Sequence, residues 1–173
     1  MSRLAGGESG ALGELYDRYH EPIRRFVARA TADAEDVDDL VHATFLAAAQ
    51  SAARYDGRPS CRPWLVGIAG QMLRRRYQAF GRRIAALSSF FGGRSPAIDP
   101  RPVLQARGNV KRALAGIGEL KRVTFLMAEA EGLSCQEIAA ALQIPIGTVW
   151  TRLHAARREL RQILAREEEG HGS

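Results

Sequence analysis

The stretch EGLSCQEIAAALQIPIGTVWTRLHAARREL, residues 131–160, reads as two helices joined by a tight turn. Gly132 suits the left-handed position just past a helix end, where a side chain is disfavoured. Ser134 suits the N-cap of the next helix, and Glu137, three residues on, completes a capping box. From 135 to 142 the helix turns Ile138, Ala139 and Leu142 inward. Gln143-Ile144-Pro145 forms the turn, with Pro145 tolerated at the first position of the following helix. That helix buries Val149, Leu153, Ala156, Leu160 and Leu164 at helical spacing. Ala139 is small where the two helices must approach, so the pair reads as a helix-turn-helix. In this motif the second helix enters the major groove. Its outward residues are Thr148, Trp150, Thr151, Arg152, His154, Arg157 and Arg158, of which the hydroxyls and arginines suit base edges and phosphates. The alternative is a helical hairpin with a basic surface.

Helical periodicity extends on both sides. Upstream of the motif, Val110, Leu114, Ile117, Val123, Phe125 and Leu126 continue the same small domain, over residues 107–168. The tail from Glu167 onward reads as frayed. A first helical domain covers residues 8–84. Its opening helix repeats Leu12, Leu15, Tyr16, Tyr19, Ile23 and Phe26 on one face. A second helical segment starts at Asp33, with Val37, Leu40, Val41, Thr44, Phe45 and Ala48 on one side and early acids suited to a helix N-terminus. Tyr55 to Ser60 is turn-rich. A third helix carries Trp64, Leu65, Ile68, Ala69, Met72 and Leu73, then Arg74, Arg75, Arg76, Arg82 and Arg83. Residues 86–103 hold three Pro and two Gly, which marks 85–106 as a flexible linker. Phe90 and Phe91 are unusual there and suit contact with a domain surface or a partner's groove. The expectation is an all-α chain of two small helical domains.

Composition narrows the function. The 173 residues carry 46% apolar and 25% charged side chains, ordinary for a globular protein. No run approaches the roughly 20 apolar residues of a membrane span, and no leader opens the chain. Cys61 and Cys135 alone make no disulfide framework, and four scattered histidines show no zinc spacing. The net charge of +6 is uneven: residues 1–50 carry −4, residues 51–100 +7 and residues 101–173 +3. A basic surface attracts phosphate backbones and an acidic one a basic protein, although solvated helix faces would look the same. No nucleophile elbow, P-loop or zinc-protease motif is present, so no catalytic constellation and no cofactor or metal site is expected. Arg74–Arg76 and Arg82–Arg83 would form a second nucleic-acid surface, with Tyr55 and Trp64 beside them to stack on unpaired bases. Taken alone, Trp64 reads more readily as core, since it starts an apolar stripe.

These residues resemble the ECF (extracytoplasmic-function) group of bacterial RNA polymerase sigma factors, over about residues 10–165. Three blocks carry the likeness in the first domain: Leu15-Tyr16-x-x-Tyr19, Asp38-Asp39-Leu40-Val41-His42-Ala43-Thr44-Phe45-Leu46 and Trp64-Leu65-x-x-Ile68-Ala69. The fourth runs from Glu131 to Ala139 and from Pro145 to Arg157. The resemblance implies that Asp38, Asp39, Leu40, Val41, His42, Thr44 and Phe45 dock on the clamp helices of the polymerase largest subunit. It implies that Tyr55, Arg58, Arg62, Trp64, Gln71, Arg74, Arg75 and Arg76 capture the −10 element as single strand. Unstacking a base costs a few kcal/mol, which binding must offset. It further implies that Gln136, Gly147, Thr148, Trp150, Thr151, Arg152, His154, Arg157 and Arg158 read the −35 element, while this domain touches the polymerase flap. The partners so implied are core RNA polymerase, promoter DNA and an anti-sigma factor, in a bacterial cytoplasm.

The chain departs from the family pattern at several positions. His42 and Ala43 replace Gln and Glu, Gly67 and Gly70 stand where Arg is frequent, and Gln71 stands for Asn. Arg75 stands for Asp, and Trp150 replaces a frequent Lys or Arg. The alternative reading is a stand-alone two-domain helix-turn-helix regulator that binds DNA without polymerase.

Overall fold

The computed structural model describes the chain except residues 1–3, 5, 7–8, 32, 56, 58–59, 91–108 and 171–173, with backbone alone at 9, 83–90, 109–111 and 167–170. The described residues form helices and connecting turns without a strand. In order they are α1 (Ser9–Ala30), α2 (Val37–Ser51), a 3-10 turn (Ala52–Arg54), α3 (Arg62–Phe90), α4 (Asn109–Ala115), α5 (Glu119–Glu129), α6 (Cys135–Leu142) and α7 (Ile146–Gly170).

Helices α1, α2 and α3 pack on one another. The stripes expected from periodicity form their core: Leu15, Ile23 and Phe26 of α1, Val41, Phe45 and Ala48 of α2, and Leu65, Ala69 and Leu73 of α3 are all buried. Each such large apolar side chain contributes roughly 1.5–3 kcal/mol when withdrawn from water. Thr44 is fully buried too, and its hydroxyl donates to the Leu40 carbonyl at 2.7 Å, which removes the cost of an unpaired polar group.

The second half is built from α4 to α7, with α7 lying across α4, α5 and α6. Val123, Leu126 and Met127 of α5, Ile138 and Leu142 of α6, and Val149, Leu153, Ala156 and Leu160 of α7 fill its centre. The capping box is present as expected: the Glu137 N–H donates to Ser134 Oγ at 3.2 Å, and the Ser134 N–H donates to Glu137 Oε2 at 2.9 Å. Gly132 sits at φ +68, and Gln143 closes α6 at φ 52, so two left-handed residues shape the turns around this helix.

Two features concern the join between the halves. The third helix continues to Phe90, past the expected domain end at 84 and into the segment assigned to the linker; residues 91–108 lie outside the described ones. The two helical domains are also in contact. Helix α3 packs against α5 and α6, and α1 packs against α5, so one apolar cluster runs through both. Arg122 of α5 ties them further. Its side chain is almost fully buried, yet Nε donates to the Ala30 carbonyl at 2.9 Å and Nη1 to the Leu114 carbonyl at 3.3 Å. Both carbonyls belong to the last turns of helices, where a cation is favoured by the dipole.

Candidate nucleic-acid interface

Helix α7 presents the first candidate surface. Val149, Leu153 and Ala156 face the core. Gly147, Trp150, Thr151, His154 and Arg158 then share the opposite, exposed side, at the three- and four-residue steps of one helical face. Trp150 is 59% exposed, a large apolar ring held in water. The Thr151 hydroxyl donates to the Gly147 carbonyl at 2.9 Å. Gln136 of α6 is exposed and Thr148 half-buried. Two arginines expected on this face have other surroundings. Arg157 lies at its edge and donates to Glu129 Oε1 through Nη2 at 2.6 Å and Nε at 3.2 Å. Arg152 is turned toward the other half, where its Nη1 is enclosed without a hydrogen-bond partner. Burial first, and the neighbouring Arg74 second, hold its guanidinium below the usual arginine value.

Helix α3 and the turn before it present the second. Tyr55 meets Trp64 edge-on, ring centroids 5.1 Å apart. Trp64 is half-buried and packs against the core. Gln71 is half-buried with it, and the two line a crevice of about 420 Å³ shared with Leu133, Glu137 and Ala141 of the other half. The basic residues divide. Arg75 is exposed. Arg62 is engaged by Glu131 at 2.7 and 3.1 Å, and Arg76 pairs with Asp33 and Asp36. Arg74 has its Nε enclosed without a partner. Arg58 lies outside the described residues.

On α2 the acidic block splits by helix face. Asp38, Asp39 and His42 are exposed, Leu40 is half-buried, and Asp38 accepts from Arg24 Nε at 3.3 Å. Val41, Thr44 and Phe45 are buried and position the helix rather than meet a partner. Leu46, 59% exposed on the Asp39–His42 side, was not singled out from the sequence; its place four residues after His42 is the signal that would have found it. Glu119 and Arg122 were also missed, because their meeting with Asp33 and Arg76 depends on the packing of the halves. Burial raises the Glu119 carboxyl above its usual value, against the pull of Arg122 and Arg76 and with the push of Asp33. Among the described residues no cluster of His, Cys, Asp or Glu could hold a metal ion, and no helix is long and apolar enough to cross a membrane.

The sequence matches the Sigma-70 region 2 family over residues 15–83 and the Sigma-70 region 4 family over residues 107–160. It is 30% identical to the RNA polymerase sigma factor CarQ of Myxococcus xanthus over 174 aligned positions, 97% of each chain. The chain belongs to the ECF group of the sigma-70 family. It is thus an alternative sigma factor that directs transcription initiation, a class of initiation factors rather than enzymes. The RNA polymerase sigma-H factor of Pseudomonas aeruginosa is 27% identical, covering 95% of this sigma factor and 91% of that one. Among solved structures, the sigma factor RpoE of Bartonella quintana, bound to the anti-sigma factor NepR, shares the fold with TM-score 0.65 at 22% identity over 88% of this chain and 96% of that one. CnrH, in complex with the cytosolic domain of CnrY, does so with TM-score 0.60 at 23% identity over 95% and 94%.

Proposed function

We propose that this sigma factor binds core RNA polymerase through the exposed side of α2 and recognises its promoters with two separate surfaces. Asp38, Asp39, His42 and Leu46 would meet the clamp helices, with Val41, Thr44 and Phe45 holding the helix in place. Residues 8–84 would take the −10 element, with Tyr55 and Trp64 supplying aromatic faces for unpaired bases and Gln71, Arg74 and Arg75 the polar contacts. Residues 107–168 would read the −35 element through Gly147, Trp150, Thr151, His154 and Arg158. The single observation that carries this is the division of α7, whose apolar side is buried while its other side aligns the Trp150 ring, the Thr151 hydroxyl, the His154 imidazole and the Arg158 cation as a groove-reading helix requires.

No enzymatic step is part of this role, and it places the protein in the bacterial cytoplasm. An anti-sigma factor is part of the proposal too. It is supported by the solved relatives, RpoE with NepR and CnrH with the CnrY cytosolic domain.

Run-off transcription with core polymerase on fragmented genomic DNA tests the assignment. Discrete start sites preceded by two spaced motifs are the expected result. Absence of core binding, with duplex DNA bound by the free protein, would instead establish a stand-alone regulator.

A further inference from the structure

Among the described residues three large apolar side chains stand exposed: Leu46, Phe80 and Trp150. A single ring in water is ordinary on a protein surface. Trp150 is set apart by its place. It lies four residues after Ile146, the start of α7, in the part of a groove-reading helix that meets base edges. Gly147 and His154 stand one turn away on the same side, with Thr151 beside it. A Cβ at Gly147 would meet nothing within 4 Å, so the ring is not folded back over that turn and the surface next to it is open. Among the described residues no aromatic ring packs on the indole, and no hydrogen bond or ion pair engages it. The cations stand apart from it. Arg158 is two turns further on, Arg157 is held by Glu129 at the edge of the face, and Arg152 is turned toward the other half. The face therefore has an apolar centre and a charged far end.

The chemistry of that centre selects among bases. In the major groove guanine offers two acceptors to a bidentate cation, adenine an acceptor and a donor to a carboxamide, and cytosine an amino donor. An indole carries one N–H and no acceptor, so it can neither form the two-point pairs nor accept from cytosine. Thymine alone presents a methyl group, which an apolar surface covers favourably. We propose that Trp150 makes thymine the preferred base at one position of the −35 element, by covering its C5-methyl with the indole. This rests on the function proposed above and names the base that α7 selects. The contact is uncharged, so it adds sequence preference without adding to the salt-dependent attraction that the arginines supply. One methyl withdrawn from water is worth a factor of about four in affinity.

Replacing thymine by deoxyuridine removes that methyl and leaves the hydrogen-bonding edge in place. The test uses holoenzyme, the full chain with core polymerase, on a promoter found by run-off transcription. Competing duplexes carry deoxyuridine in place of each −35 thymine of either strand in turn. One position should weaken binding about fourfold, and the same replacement should have no effect on holoenzyme carrying Trp150→Ala. At that position 5-methylcytosine should bind more tightly than cytosine, again with the wild-type chain alone. Trp150→Lys should also erase the methyl dependence and should steepen the salt slope by about one, as an added phosphate contact does. Equal binding of every deoxyuridine duplex by the wild-type holoenzyme overturns the proposal, as does a methyl effect that survives in Trp150→Ala. If scrambling the whole −35 element costs no affinity, the assignment of α7 to that element fails and the proposal falls with it. If scrambling weakens binding and deoxyuridine does not, that assignment stands and Trp150 is not the selector.

Discussion

Glu119 shows how a single carboxyl reports on the seam. Burial raises its pKa, with Arg122 and Arg76 opposing and Asp33 assisting. A carboxyl whose folded value exceeds its unfolded value stabilises most below the unfolded value, near 4.5, and loses that contribution as pH rises through the folded value. Glu119→Gln should therefore be more stable than wild type at neutral pH, and the difference should shrink on acidification toward that range. Urea titrations at several pH values check this. On α7, the Thr151 proton is committed to the Gly147 carbonyl, so its oxygen offers lone pairs outward. It can accept from the amino group of adenine or cytosine. Thr151→Val should lose discrimination at one base pair, about 1–3 kcal/mol, whereas Arg158→Ala should weaken all sequences alike and reduce the salt slope by about one. Competition binding of holoenzyme to promoter libraries separates the two. Residue identity was readable where a side chain's role is local, as at Ser134 and Glu137. Gly67 and Gly70 were not: as letters they are two missing arginines, and their use depends on Ala141 and Met127, some sixty to seventy positions away.

At the level of elements, the helices followed from periodicity because each buries one stripe, and stripes repeat at 3.6 residues whatever the tertiary partner. Boundaries followed only where a cap marks them. Helix α6 begins at its capping box, whereas α3 ran past its expected end because no stop signal interrupts residues 84–90. Ser134→Ala should cost about 1 kcal/mol by removing a partner for the Glu137 N–H, read as a lower midpoint in thermal unfolding. Helix α2 divides into a buried stripe and an exposed one, so its sequence block overstated the contact surface. Leu46→Asp should abolish core polymerase binding while leaving the unfolding free energy within about 0.5 kcal/mol of wild type, as surface changes usually do. Phe45→Ala should instead destabilise the protein by about 3–5 kcal/mol through the cavity it leaves.

Across the whole molecule, a shared core predicts cooperative behaviour. Calorimetry of the wild-type chain should show one transition, and the Gly67→Arg, Gly70→Arg variant two, because the halves then unfold independently. This level was the least accessible from sequence. Charge segregation and a Pro/Gly-rich connection suggest two bodies, and both remain true of the chain, but neither says whether the bodies touch. Contact between α3 and α6 is decided by a few tenths of an ångström at two glycines. The consequence is shared by both halves. Helix α3 belongs to one and α6 to the other, and one apolar cluster runs through both. Substitutions at the seam should therefore loosen the two halves together, whichever of them carries the change.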